Sequence, residues 1–470
     1  MEKYDLNEDR YFNPDSTVRK IARKIYESVK SLPIVSPHGD VDPQIFVDNK
    51  PFPNPTQLFL IPDHYIYRML YSQGIKLEQL GIPTIDGTKV ETDPRKVWQL
   101  FADNYHLFVG TPSGNWLAYE FNKIFGIEEK PNSSNAQSIY DKLQEKLNTP
   151  EFLPRNLFER FNIEVLSTTD AASDSLNQHK EIKVSVWNKR VIPCFRPDAV
   201  TDLSTRNWKQ NLSALEKSVG YEIDNYKKLI QALEERRIYF KEVGATSTDH
   251  GVFSPYTHQL SLNEAEDIFN RALTSKLEYN DAKLFTANML MEMARMSIED
   301  GLTMQIHPGS YRNHNEIIFN RFGLDKGCDI PMQTEYTFNL KELLNKYGNN
   351  ENLTVIVFTL DETSYARELA PLAGHYPAMK LGPAWWFHDS LEGMMRFRRM
   401  VTETAGFYNT VGFNDDTRAF LSIPARHDLA RRVDSNYLGE LVAKHIICLN
   451  EAMIVAKDLT YNLVKKAYKL

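Results

Sequence analysis

The chain has little of what marks several large classes of protein. Its 470 residues include only three cysteines, Cys194, Cys328 and Cys448, which are odd in number and far apart. Neither a disulfide framework nor a CxxC metal knuckle can be assembled from them, and a reducing compartment is expected. No apolar run approaches the roughly 20 residues that cross a bilayer. The opening MEKYDLNEDRYF is charged and has no apolar stretch of the secretory kind. A cytoplasmic protein with no membrane partner is the expectation. Charge is unbiased too: 55 Lys and Arg against 62 Asp and Glu give a net −7, without acidic or basic blocks. That balance argues against nucleic acid as a partner. GxGxxG, Walker, GxSxG and HExxH motifs are all missing, so a nucleotide cofactor and serine-hydrolase chemistry have no support. Internal repeats and low-complexity tracts are absent as well.

What is present is a series of eight short apolar runs, each breaking into polar or charged residues at its C-terminal end. In order they are LPIVSPHGD from Leu32, NIEVLSTTD from Asn162, RVIPCFRPD from Arg190, FKEVGATSTDHG from Phe240, GLTMQIHPGSYR from Gly301, LTVIVFTLDE from Leu353, AMKLGPAWWFHD from Ala378 and FYNTVGFNDDTR from Phe407. Buried parallel strands read as continuous Val/Ile/Leu-rich runs. Eight of them with helix-like sequence between most predict an α/β fold, a (β/α)8 TIM barrel, whose chemistry sits where the strands end. His38, Asp170, Arg196, His250, His307, Asp361, Trp385 and Asp416 are then expected to face one pocket.

A barrel needs about 250 residues, so this chain must carry insertions. Residues 16–32 have apolar positions at Val18, Ile21, Ile25, Val29 and Leu32, the spacing of an amphipathic helix. This helix and the first strand make up residues 1–50. Residues 51–160 are rich in helix-like pieces entered through Pro, Asp or Ser, and predict a helical insertion capping the pocket. Residues 161–470 hold the remainder of the barrel.

Two constellations carry chemistry. Strand alternation places residues i and i+2 on one face, so His38 and Asp40 can converge on a divalent ion. His307 and Asp416 offer further ligands from other strands. Arg196, Arg312 and Arg418 each follow a strand by a few residues, and guanidinium forks suit a carboxylate-bearing substrate. In Asp416-Thr417-Arg418 the same i, i+2 relation pairs acid with guanidinium, which would keep Asp416 ionised as a base. Tyr65 opens a helix of the insertion and can present its phenol from above. Trp385 can wall the pocket. Each residue also has a plain structural reading, as a strand end, a local ion pair or core packing.

Together PHGDVDP, DHYIYRMLYSQG, FNIEVLSTTD, FRPD, STDHG, MQIHPGSYRNHN, LGPAWWF and FNDDTRAFLSIPARH resemble the uronate isomerase (glucuronate isomerase) family of the amidohydrolase superfamily, across essentially the whole chain. The resemblance implies a distorted (β/α)8 barrel. It also implies an aldose–ketose isomerase interconverting D-glucuronate with D-fructuronate, and D-galacturonate with D-tagaturonate, by proton transfer through a cis-enediol. By position it implies Asp416, Arg418 and Tyr65 as catalytic residues, and Arg196, Arg312, Trp385 and His307 as substrate-binding ones. A metal would lie on His38, Asp40 and Asp416. The implied partner is a uronic acid sugar, and the implied assembly a homo-oligomer. Asp40 stands where the family has the second histidine of a strand-one HxH pair. A carboxylate can still ligate zinc but moves preference toward harder ions such as manganese, so metal dependence stays open. Strand four ends without a lysine and strand six without a histidine, which disfavours a two-metal hydrolase. A mononuclear hydrolase and a non-catalytic uronate-binding relative remain as alternatives.

Overall fold

A computed structural model describes residues 3–188 and 190–470. The eight runs form the strands of a distorted (β/α)8 barrel. The first strand, Ile34–Ser36, pairs in parallel with the second, Ile163–Ser167, which pairs with the third at Val191–Ile192. Strands two and three then bend and resume as Asp170–Ala171 and Phe195–Arg196. From there the sheet continues through Ser247–Val252, Thr303–Pro308, Val355–Val357 and Met379–Leu381, all parallel. The eighth run joins by a single bridge from Leu381 to Thr410. Near closure, the Asp40 N–H donates to the Thr417 carbonyl at 3.1 Å and Ser36 Oγ to Asp415 Oδ1 at 3.1 Å.

Side chains alternate between two cores, as strands buried on both faces require. Val35, Val165, Ile192, Ile356, Phe358 and Val411 fill the barrel interior. Met304, Ile306, Val355, Val357 and Leu381 pack outward against the helical layer. The C-terminal helix Leu463–Tyr468 adds Val464 and Tyr468 to the interior core, and Tyr468 Oη donates to Gln305 Oε1 at 2.8 Å inside it. No sequence signal announces that plug.

The amphipathic N-terminal helix runs Ser16–Val29, capped by the Asp15 side chain, and packs on the long helix Ile423–Ala443. Residues 51–160 contain the helices Pro55–Phe59, His64–Ser72, Pro94–Asp103, Pro112–Tyr119, Ala136–Leu147 and Pro154–Arg160. An aromatic core around Phe59, Trp98, Phe101, Phe121 and Phe125 joins them to Ile34, Ile163 and Val191 of the first three strands. Among the described residues, no helix is long and apolar enough to cross a membrane.

Candidate active site

The strand ends surround a cavity of about 540 Å³ lined by His38, Arg196, His307, Trp385, Asp416 and the buried Tyr65, with the part-exposed Asp40, Arg312 and Arg418 around its mouth. Its volume falls within the range of small-molecule sites. Asp63 caps the helix His64–Ser72, accepting from the Tyr65 N–H at 2.8 Å, and so fixes where His64 and Tyr65 enter the cavity.

At its floor, His38 and His307 stack with ring centroids 4.8 Å apart. His307 Nδ1 hydrogen-bonds Asp249 Oδ1 at 2.6 Å, which leaves Nε2 buried without a protein partner. His38 Nδ1 is likewise buried and unpartnered, while its Nε2 lies 3.6 Å from Asp416 Oδ1. Trp385 Nε1–H donates to the other Asp416 oxygen at 2.5 Å. Ligand-grade atoms of His38, His307 and Asp416 all lie within 4.8 Å of one another. Asp416 itself adopts φ +37°, an uncommon left-handed conformation of the kind found where structure is constrained for function. Asn414 Oδ1 supports it by accepting from the Asp416 N–H at 3.2 Å.

The electrostatics favour a cation at this point. Burial works to lower the His38 pKa, but Asp416, Asp249 and Asp40 outweigh it and the net shift is upward. For His307 burial prevails over Asp249, and the net shift is downward. Burial alone would raise Asp249, yet Arg196, His307 and His38 hold it well below the usual carboxylate range. A histidine oriented by a carboxylate behind it, with its second nitrogen free, is the usual arrangement around a protein-bound metal. His38, His307 and Asp416 therefore fit a divalent ion.

The three arginines line the cavity in different states. Arg196 Nε donates to Asp198 Oδ2 at 2.6 Å and its guanidinium faces Asp249 Oδ2 at 3.3 Å. It crosses Gly251 so closely that a side chain there would collide with it. Arg312 pairs with Asp329 at 3.2 Å and Asp325 at 3.5 Å, above the Trp386 ring. Arg418 pairs with Asp325 at 2.9 Å and Asp40 at 3.5 Å. Tyr65 Oη reaches Asp389 Oδ1 at 3.5 Å, and burial drives its phenol pKa well above the ordinary value, so it stays a donor.

The sequence matches the glucuronate isomerase family model over residues 10–468. It is 55% identical over 465 residues to the uronate isomerase of Phenylobacterium zucineum, covering 99% of this chain and 97% of that one. The chain belongs to the glucuronate isomerase family. Among solved structures, it is similar to the glucuronate isomerase from Caulobacter crescentus, with a TM-score of 0.98 and 52% identity over 100% of this chain and 98% of that one. The uronate isomerase from Thermotoga maritima matches with a TM-score of 0.92 at 26% identity, over 99% of this chain and 100% of that one.

Within this glucuronate isomerase family member, five of the eight expected strand-end residues reach the cavity: His38, Arg196, His307, Trp385 and Asp416. Three do not. His250 turns away and bonds Thr248 Oγ1 at 3.0 Å, and Asp249 and Gly251 line the cavity in its place. Asp170 accepts from Thr168 Oγ1 at 2.7 Å under the helix Asn177–Lys183, and it is Ala171 that lines the cavity. Both are one-residue slips, which in a strand exchange one face for the other. Asp361 caps the backbone of Thr334 and Thr363, each at 3.0 Å. The expected pairing of Arg418 with Asp416 is also replaced, since Arg418 goes to Asp325 and Asp40. Asp40 faces that arginine, and the third member of the ligand-grade cluster is His307. Asp249 and Asp325 escaped notice in the sequence. For Asp249 the available signal was its place beside His250 in STDHG.

Proposed function

We propose that this pocket interconverts D-glucuronate with D-fructuronate, and D-galacturonate with D-tagaturonate, acting on the open-chain sugar. The observation that carries the reading is Asp416: a carboxylate clamped by Trp385 and grouped with the imidazoles of His38 and His307, in a cavity edged by arginines. Asp416 removes the proton from C2 of the aldose, forming a cis-enediol, and returns it to C1 to give the ketose. The proton of the C2 hydroxyl leaves as the C1 oxygen gains one, so the reaction is neutral in atoms and electrons. Tyr65, protonated at every working pH, donates toward a substrate oxygen. The arginines at the mouth hold the sugar's carboxylate, and residues 51–160 cap the pocket and exclude water.

His38, His307 and Asp416 would hold a divalent ion, and two imidazoles with a carboxylate suit zinc or manganese. Once bound, such an ion would polarise the sugar's C1 and C2 oxygens and stabilise the enediolate. Hydrolytic or purely binding roles are disfavoured by membership of an isomerase family over nearly the whole chain.

The deciding variant is Asp416→Asn. Asparagine tolerates the left-handed backbone here, so the fold should persist while ketose formation falls roughly 10²–10⁴-fold, the usual worth of a general base. Wild-type turnover in that variant would remove Asp416 from the mechanism.

A further inference from the structure

Three arginines edge the cavity, but they are not equally free to bind a ligand. Arg196 is committed to two carboxylates, the half-buried Asp198 and the buried Asp249. Arg312 and Arg418 are about 40% exposed, at 41% and 38%, and they share one carboxylate, that of Asp325. Its Oδ1 lies 3.5 Å from Arg312 Nη1, and its Oδ2 accepts from Arg418 Nη2 at 2.9 Å. A single carboxylate spanning two guanidinium groups at the mouth of a pocket has the chemistry of a bound carboxylate ligand.

The rest of the segment is tied down. Tyr67 Oη donates to the Asp325 carbonyl at 3.0 Å, and Gly327 packs so closely on Arg68 and the His64 carbonyl that a Cβ there would need them to move. Asp329, the other acid on Arg312, is 2% exposed and accepts from the Asn313 N–H at 2.6 Å, so it is fixed. Asp325 itself is at φ +58°, and its side chain is 35% exposed. Asp40 touches Arg418 alone, at 3.5 Å, so Asp325 is the one acid that both arginines share and that, unlike Asp329, can swing out while the backbone stays in place.

We infer that Asp325 is a specificity-determining residue that occupies the place of the substrate's carboxylate: it holds the Arg312–Arg418 pair, and a sugar acid binds by displacing it. The inference deepens the uronate reading of the pocket and rests on it. Asp325 thus competes with every ligand that binds through a carboxylate, and it weakens such binding. In exchange it keeps two cationic side chains apart and aligned before the ligand arrives.

The test is Asp325→Asn, because asparagine accepts the left-handed backbone and keeps the side chain's shape while removing its charge. Partly exposed ion pairs are individually weak, so losing two competing contacts should lower KM for D-glucuronate roughly three- to tenfold, with kcat little changed. Binding of D-gluconate, a polyol carboxylate with no aldehyde to isomerise, should tighten by the same factor in calorimetry. Circular dichroism melting and the second variant Asp325→Ser separate this outcome from a folding defect. Unchanged or weaker gluconate binding in both folded variants overturns the inference, since Asp325 would then only position the arginines. If wild-type protein isomerises neither uronate while Asp325→Asn still binds gluconate more tightly, the uronate reading fails and the displaced-carboxylate inference stands.

Discussion

Replacing Asp249 by asparagine should loosen the metal site without touching any of its proposed ligands. The carboxylate is 1% exposed, bonds His307 Nδ1 at 2.6 Å and faces Arg196 at 3.3 Å. Asparagine has the same shape, and its amide oxygen can still take the His307 proton, so the change removes charge rather than contact. A hydrogen bond to a charged group contributes about 1.5–3 kcal/mol against about 0.5–1.5 for a neutral one. The difference of about 1–1.5 kcal/mol corresponds to about tenfold in an equilibrium constant. The amide nitrogen would also turn toward Arg196, which places the loss toward the upper part of the 10–100-fold range typical of residues behind metal ligands. The assay is zinc competition between metal-free protein and a chromophoric chelator, with melting curves to show that the fold is intact. A zinc affinity in Asp249→Asn within about twofold of wild type would refute the claim that Asp249 sets the basicity and orientation of His307.

Two further outcomes follow from the geometry. His307→Ala should lose bound metal, measured by elemental analysis after dialysis, whereas Asp40→Ala should keep it, because Asp40 faces Arg418; the reverse pattern would put Asp40 in the ligand set. The second concerns Asp170, raised by burial to about 7, and His179, lowered by burial to about 4, which share Thr168 Oγ1 at 2.7 Å each. Between about pH 4 and 6.5 the folded pair holds one proton on Asp170 and the unfolded chain one on His179, so this pair adds no pH dependence there. Asp170→Asn leaves only the depressed histidine, and stability should rise with pH across that window; His179→Gln leaves only the raised acid, and stability should fall, each by up to about 1.4 kcal/mol per pH unit. Urea midpoints at about pH 4.5 and 6.5 that move the same way in both variants would sink the assignment.

The barrel was legible because parallel strands buried on both faces write themselves as unbroken apolar runs. The same property hid the register. LSTTD and TSTDHG carry no apolar–polar alternation to say which residue faces inward, so Asp170 and His250 were each placed one residue from the true cavity positions, Ala171 and Asp249. The i, i+2 rule failed for a different reason. It holds only while the chain is extended, and the first strand ends at Ser36, before His38 and Asp40. At Asp416 the backbone turns to φ +37°, which sends Arg418 away to Asp325. Pairings across the mouth were beyond reach, since Asp325 lies 93 residues from Arg418 and on no strand.

Charge links these pieces. Seven aspartates line the cavity against three arginines, a formally negative cavity for a ligand that is itself an anion. Such a ligand gains by entering only if an internal carboxylate yields its guanidinium partners, or if a divalent cation offsets the excess. Asp325 on the exposed arginine pair would supply the first device, and a cation held by His38, His307 and Asp416 would supply the second. They act at different ends of the sugar, one on its carboxylate and the other on its reacting oxygens. Neutralising Asp325 should therefore move KM, and disturbing His307 should move kcat and metal content.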